Sequence, residues 1–284
     1  SCGVNAVKLQ KRDLPTWEAL DPELWHRPYH SEHAFGATYG EHRAALEFGW
    51  DEYRELQQYA DDLGLVFFAT AFDEPSLGFL LALGVPAIKL ASASIVHESL
   101  LEAVARAGKP VILSTGGATD REITQAIATM QDADFSYSWW EQVALLQCTA
   151  MYPCPAERLD LRVIEHLRRE YEHVVVGLSD HQDGIAMAPV AYLLGARIFE
   201  KHFTLHRAWK GSDQAFSLEP EGMRRMVRDI RRTRLALGDG VTTVALVLPL
   251  SAARRGDQFF TELNRFPGVA GRFDAQRVVR RVLA

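Results

Sequence analysis

Apolar and polar positions along the chain alternate between two periods. Short β-branched runs of the strand type cover residues 6–10, 65–70, 87–92, 110–115, 143–148, 174–178 and 198–203. Between them lie stretches with apolar residues at helical spacing: 39–48, 51–63, 74–83, 97–107, 159–171 and 185–194, with a last one at 223–237. Local chemistry marks their ends. Asp51 is placed to cap one helix and Gly64 to stop it, Pro75 falls in a first turn, and Gly108 and Gly238 close two others. Thr119-Asp120-Arg121-Glu122 is a capping box, and Pro189 is tolerable only within a first turn. Residues 11–39 show no clear periodicity and read as a functional loop or a partly disordered one.

The order is strand, helix, strand, helix, without a hairpin signal, so the strands should be parallel. Such alternation builds a doubly wound sheet or an eight-fold barrel. No GxGxxG follows the early strands, which weakens the dinucleotide-binding version. The fold expected is an α/β (β/α)8 TIM barrel over residues 1–238, its first strand and helix lying upstream of Ser1, with a short C-terminal extension at 239–284. In that extension, residues 240–250 form an apolar segment without an evident place, and 276–283 resemble a last helix.

Composition narrows the function. The net charge of −6 disfavours nucleic acid and anionic membrane as partners, because both reward a basic surface. No apolar run approaches the roughly 20 residues of a membrane span. Cys2, Cys148 and Cys154 are too few for a disulfide framework, and a cytoplasmic location is expected.

A barrel places its chemistry at the C-terminal ends of its strands. Here those ends carry Lys8 and Gln10; Thr70, Phe72 and Asp73; Lys89, Ser92 and Ser94; Ser114 and Thr115; Cys148, Thr149 and Tyr152; Ser179, Asp180 and His181; and Glu200, Lys201 and His202. Lys8 and Lys89 interrupt apolar strands, where an unpaired ammonium is expensive. Either they form a buried salt bridge, or they aim at a phosphate or carboxylate with Ser92, Ser114, Thr115 and Ser179 adding donors. Two histidines ending neighbouring strands, each beside a carboxylate, suit a divalent metal; the alternative is a pair of packed core histidines.

The segments AVKLQ, YGEHRAALEF, ATAFDEPS, IKLASA, LSTGGAT, LQCTAMYPCP, GLSDHQDGI, GARIFEKHFTLHR and GSDQAFSLEP, in this order over residues 4–238, resemble the N-acetylneuraminate (sialic acid) synthase family, including its spore-coat-polysaccharide-synthase-like bacterial members. The resemblance implies condensation of phosphoenolpyruvate with an N-acetylmannosamine-like sugar to give a sialic-acid-type nonulosonate and phosphate, for surface polysaccharide synthesis. It implies a divalent metal, manganese foremost and magnesium or cobalt as alternates, held by His181 and His202. It casts Lys8, Lys89, Ser92, Ser114 and Ser179 as the phosphoenolpyruvate cradle and Gln10, Tyr152 and Asp213 as sugar contacts. Glu200, beside a metal ligand, would orient water or move a proton, and a homodimer is implied.

The chain departs from the family pattern in three places. An AEIG-type first strand is absent, Ala150 stands where a polar residue is usual, and residues 239–284 lack the pattern of an antifreeze-like capping domain. Two other readings use the same residues. One is a phosphoenolpyruvate aldolase acting on a sugar phosphate, which needs a second basic site that Lys11, Arg12 and Arg27 could supply. The other is a barrel that binds a metal or anion without turnover.

Overall fold

The structure, a computed structural model, describes residues 2–134 and 139–238. Seven strands form one sheet in chain order: β1 (Ala6–Lys11), β2 (Val66–Ala71), β3 (Ile88–Leu90), β4 (Val111–Ser114), β5 (Val143–Cys148), β6 (Val175–Asp180) and β7 (Ile198–Lys201). Every neighbouring pair is parallel, as the missing hairpin signals required. Four helices lie between β1 and β2: α1 (Leu14–Leu20), α2 (Pro22–His26), α3 (Tyr39–Ala44) and α4 (Trp50–Asp62). Then α5 (Glu74–Leu83) follows β2 and α6 (Glu98–Arg106) follows β3, while α7 (Asp120–Ala133) and α8 (Trp139–Gln142) separate β4 from β5. Finally α9 (Val163–Glu170), α10 (Met187–Leu194) and α11 (Pro220–Ala236) follow β5, β6 and β7.

Strands β3 to β6 are buried along their whole length, whereas β1 and β7 are only half-buried. The sheet curls until these two edges approach each other, and Lys8 of β1 reaches Glu200 of β7 at 3.2 Å. This is the parallel, barrel-type α/β architecture expected, with one difference. The described residues contain seven strands and no eighth. One apolar core joins the sheet to its helices through Leu80, Leu100, Leu113, Met130, Leu145 and Ile164, all essentially inaccessible. A smaller cluster of Ala188, Leu218, Met223 and Met226 packs α10 and α11 against Val4 and Phe199. Arg231 ties α11 to the start of the chain by donating to the Gly3 carbonyl at 2.7 Å.

The structure corrects several expectations. Residues 11–39 contain two short helices, each capped by an aspartate. Asp13 accepts from the Thr16 N–H at 3.2 Å and Asp21 from the Leu24 N–H at 2.8 Å, each with a proline in the first turn. Helices of five and seven residues are too short for apolar periodicity to declare them. Helix α4 starts at Trp50, capped by Gly49, whose N–H donates to Glu52 at 3.0 Å, so Asp51 lies inside the helix. Helix α3 is shorter than its apolar pattern, and β3 gives way at Ser92–Ser94 to a 3-10 turn. Helix α9 starts only at Val163 because Ala156–Arg158 forms a separate 3-10 turn. Pro189 does fall in the first turn of α10. Residues 240–250 and 276–283 lie outside the described residues, as does the whole 239–284 extension.

Candidate active site

The site grows from the alternation of side chains along each strand. Successive residues point to opposite faces, so Lys8 and Gln10 share one face of β1. The register aligns Gln10 with Thr70, Thr70 with Lys89, Cys148 with Ser179, and Ser179 with Glu200. A polar layer therefore crosses the sheet where an apolar one would be cheaper.

Its centre is Glu200. Lys8 Nζ stands 3.2 Å from one carboxylate oxygen and Lys89 Nζ 3.8 Å from the other. Burial raises the Glu200 carboxyl, but the two lysines outweigh it and hold it down at about 2. Lys89 is 2% exposed, and burial, opposed by Glu200, lowers its ammonium to about 8. It donates to the Ser114 hydroxyl and the Leu90 carbonyl, both at 2.7 Å, while Lys8 donates to Thr70 Oγ1 at 3.3 Å. Two cations thus share one carboxylate, so this cluster of three carries one positive charge in excess. Ser92 accepts from the Gly116 N–H at 2.9 Å, and a Cβ on Gly116 would lie 2.8 Å from Ser92 Oγ and 3.0 Å from Cys148 Sγ. Glycine is needed there for close approach. Ser179, buried, completes this layer between Cys148 and Glu200.

Beside it stand the histidines. The His181 and His202 ring centroids are 5.2 Å apart. That separation fits two imidazoles on one ion, given metal–nitrogen distances of about 2.1 Å. His181 Nδ1 donates to the Thr149 carbonyl at 3.0 Å, leaving Nε2 as the free lone pair, an arrangement usual for a ligand histidine. Cys148 Sγ lies 3.9 Å from the same nitrogen. Burial pushes the thiol up and the imidazole down, but their pairing with each other reverses both shifts. Burial lowers His202 to about 4, so this ring is neutral near pH 7, as a ligand must be. Among the described residues no group of three or more His, Cys, Asp or Glu side chains is placed to hold an ion. A metal held here would have His181 and His202 as its candidate ligands among the described residues.

Of the three residues expected to touch a sugar, Tyr152 and Asp213 stand beside the histidine pair and Gln10 lies on β1. Tyr152 is half exposed, its ring 4.2 Å from that of His181 and 6.2 Å from that of His202. Asp213 places a carboxylate oxygen 3.5 Å from His202 Nδ1, nearer the histidine pair than its expected role required. Gln10 accepts from Arg12 at 3.1 Å, and Arg12 stacks over Phe72 at 3.7 Å from the ring centroid. Of the basic residues noted for a second anion site, Lys11 is neutralised by Glu47 at 2.9 Å and Arg27 is exposed. Arg12 also faces Glu47, at 4.0 Å, and its guanidinium lies over the Trp17 and Phe72 rings.

Sequence reasoning missed the residues that hold these groups in place. Asp180 and Lys201 form a buried ion pair at 2.8 Å. His42, 1% exposed, stacks on Tyr29 and accepts from the Phe35 N–H at Nδ1, so its Nε2–H must donate to Ser212 Oγ at 3.1 Å. That bond fastens the α3 segment to the loop carrying Asp213. A charged residue adjacent to each histidine was visible in SDH and EKH; which face each one takes was not.

The model of the NeuB family matches residues 1–242. Over 237 residues the chain is 37% identical to human N-acetylneuraminate-9-phosphate synthase, aligning 84% of this chain with 64% of that protein. It is 36% identical over 241 residues to the spore coat polysaccharide biosynthesis protein SpsE of Bacillus subtilis, aligning 84% of this chain with 62% of that one. Among solved structures it is similar to N-acetylneuraminic acid synthetase from Leptospira borgpetersenii serovar Hardjo-bovis in complex with citrate. The TM-score is 0.71 at 30% identity, over 93% of this chain and 84% of that one. The chain spans just under two thirds of the length of these curated relatives, 64% and 62%.

Proposed function

The chain belongs to the NeuB family, and on that premise we propose that it condenses phosphoenolpyruvate with an N-acetylated aldose to give a nonulosonate and phosphate. A carbon–carbon bond forms between the enol carbon C3 and the aldehyde carbon. Water adds at C2, and the C2–O bond to phosphate breaks, so the products balance as one ketoacid sugar and inorganic phosphate. The observation that carries this reading is the excess positive charge where Lys8 and Lys89 share Glu200, 3.2 and 3.8 Å away, next to a neutral histidine. An anion resolves that imbalance, and phosphoenolpyruvate is one that reacts beside a metal.

In this reading Lys8 and Lys89 bind the phosphate and carboxylate of phosphoenolpyruvate, with Ser92, Ser114 and Ser179 as further contacts. Glu200, held ionised at about 2, is not a proton donor at neutral pH; it orients water toward C2 and keeps the two ammoniums in register. His181 and His202 hold a divalent ion, manganese foremost, which supplies Lewis-acid polarisation of the aldehyde when bound. Gln10, Tyr152 and Asp213 line the space for the sugar. We place the reaction in the cytoplasm, where the three free cysteines stay reduced. Half-exposed Phe203, Leu205 and Trp209, on the segment that follows His202, agree with a homodimer that covers them, which light scattering tests.

One observation favours an acceptor that itself carries a phosphate. Lys8, Gln10 and Arg12 follow one another at alternate positions of β1 and its continuation, and Arg12 donates to the Gln10 amide at 3.1 Å. A phosphate on a sugar seated at Gln10 would compete with Glu47, 4.0 Å away, for the Arg12 guanidinium. The human relative's name specifies a 9-phosphate product, and removing the three carbons of phosphoenolpyruvate places that phosphate on carbon 6 of the acceptor.

Phosphate release from phosphoenolpyruvate, measured with manganese and a panel of N-acetylated hexosamines and their 6-phosphates, tests both readings. Release that needs one of these sugars and stops with EDTA supports the synthase. The sugar form used decides the role of Arg12. Manganese binding without release across the panel would leave a binding barrel in its place.

A further inference from the structure

The histidines at the ends of β6 and β7 lie on loops, yet their rings are 5.2 Å apart. Something must fix two separate backbones at that spacing. Asp180 and Lys201 are direct partners in the β6–β7 register, one residue before His181 and His202. Alternation along a strand turns them to the face opposite Ser179 and Glu200. There they are 4% and 2% exposed and bond at 2.8 Å.

The pair does more than cross-link two strands. The other Asp180 oxygen accepts from the Gln182 N–H at 2.8 Å. Lys201 Nζ also donates to the Gln182 carbonyl. Both backbone polar groups of the residue after His181 are therefore tied to one ion pair. The His181 carbonyl itself accepts from the Cys154 N–H at 2.9 Å, and the ring is tied to Thr149. On the other strand the His202 carbonyl accepts from the Leu218 N–H at 2.9 Å. The two histidine backbones thus share a single fixed reference, the buried pair lying beneath both.

We propose that Asp180 and Lys201 are positioning residues that set the spacing and aim of His181 and His202 for one divalent ion. A purely structural pair would be replaceable. Exchanging both members of a buried ion pair for neutral groups of similar volume is often neutral for stability, whereas removing one is costly. Positioning makes a different demand: losing a group that orients a ligand histidine typically costs 10–100-fold in affinity, and this pair orients both histidines through their backbones rather than their rings. The proposal rests on the metal reading of the histidine pair.

The test uses the whole protein stripped of metal, with manganese as the probe. Manganese dissociation constants are read by electron paramagnetic resonance, and urea unfolding of the metal-free protein reports the fold. The double variant Asp180→Asn with Lys201→Met is expected to unfold near the wild-type midpoint and to bind manganese about 10–100-fold more weakly. A folded double variant with wild-type affinity overturns the proposal. Should that variant not fold, Asp180→Glu serves, since it keeps the charges but moves the carboxylate by one methylene. Folded D180E with affinity reduced at least about threefold supports positioning, and unchanged affinity overturns it. Wild-type protein that binds no manganese sinks the metal reading and this inference together, whereas tight wild-type binding with insensitive variants sinks only this one.

Discussion

Lys8 on the first strand and Glu200 on the last stand 3.2 Å apart across the interior of the sheet. Their strands are the two half-buried edges, so the ion pair spans the interval where the curled sheet is open. Because Lys89 approaches the same carboxylate at 3.8 Å, the charge balance of the site depends on one side chain.

Glu200 gives the acid limb of stability a definite sign. Its carboxyl is depressed from 4.5 to about 2, so as pH falls the unfolded chain takes up the proton first. The stabilisation is complete above pH 4.5 and disappears as pH drops through 2. It should be on the order of 3 kcal/mol. Urea unfolding at pH 6 and pH 3 should show a larger acid loss in the wild type than in Glu200→Gln. Equal losses in the two proteins would mean the lysines do not hold the carboxylate.

Lys89 should set the alkaline limb of anion binding. With its ammonium lowered to about 8, the cationic fraction shrinks as pH rises through 8. Calorimetry of the ligand-free protein should show phosphoenolpyruvate binding more weakly at pH 9 than at pH 7. In Lys89→Arg the guanidinium stays charged, and the pH dependence should flatten. A flat wild-type profile would remove Lys89 from the cradle.

Gly116→Ala should loosen the cradle while sparing the fold. Its Cβ would lie 2.8 Å from Ser92 Oγ and 3.0 Å from Cys148 Sγ, displacing the hydroxyl that the Gly116 N–H now holds. The expected result is weaker phosphoenolpyruvate binding by about tenfold, equivalent to one lost hydrogen bond to a charged network. A thermal melt near the wild-type value would separate this from unfolding.

Gly177→Ala should act on the fold instead. A Cβ there would collide with the Ile198 carbonyl and the Leu146 side chain, prising β6 from β7. Overpacking of this kind costs about 1–3 kcal/mol. Manganese affinity should fall as well, because both histidines depend on that strand pair. Full stability with normal metal binding would show that β6 and β7 shift apart without consequence.

Much of this was written in one dimension. Strand runs such as 143–148 and helix signals such as Pro75 and the Thr119 capping box are local, and local propensity and capping chemistry settle them. Parallel pairing followed from the absence of hairpins, and the strand ends marked where chemistry would gather. The family motifs picked out His181, His202, Lys8 and Lys89 because the residues flanking them are distinctive. Other features depend on distance in space, which periodicity does not carry. Whether Lys8 and Lys89 met an acid was left open, and only the curl of the sheet brought Glu200 to both. The two helices in 11–39 are too short to show a period, so their aspartate caps and packing had to show them. Asp180 and Lys201 lay beside the histidines in plain view. Their role came from register, which turned them to the buried face and made them partners. A residue's type and its neighbours along the chain are set by sequence; which charges share a low-dielectric interior is set by the fold.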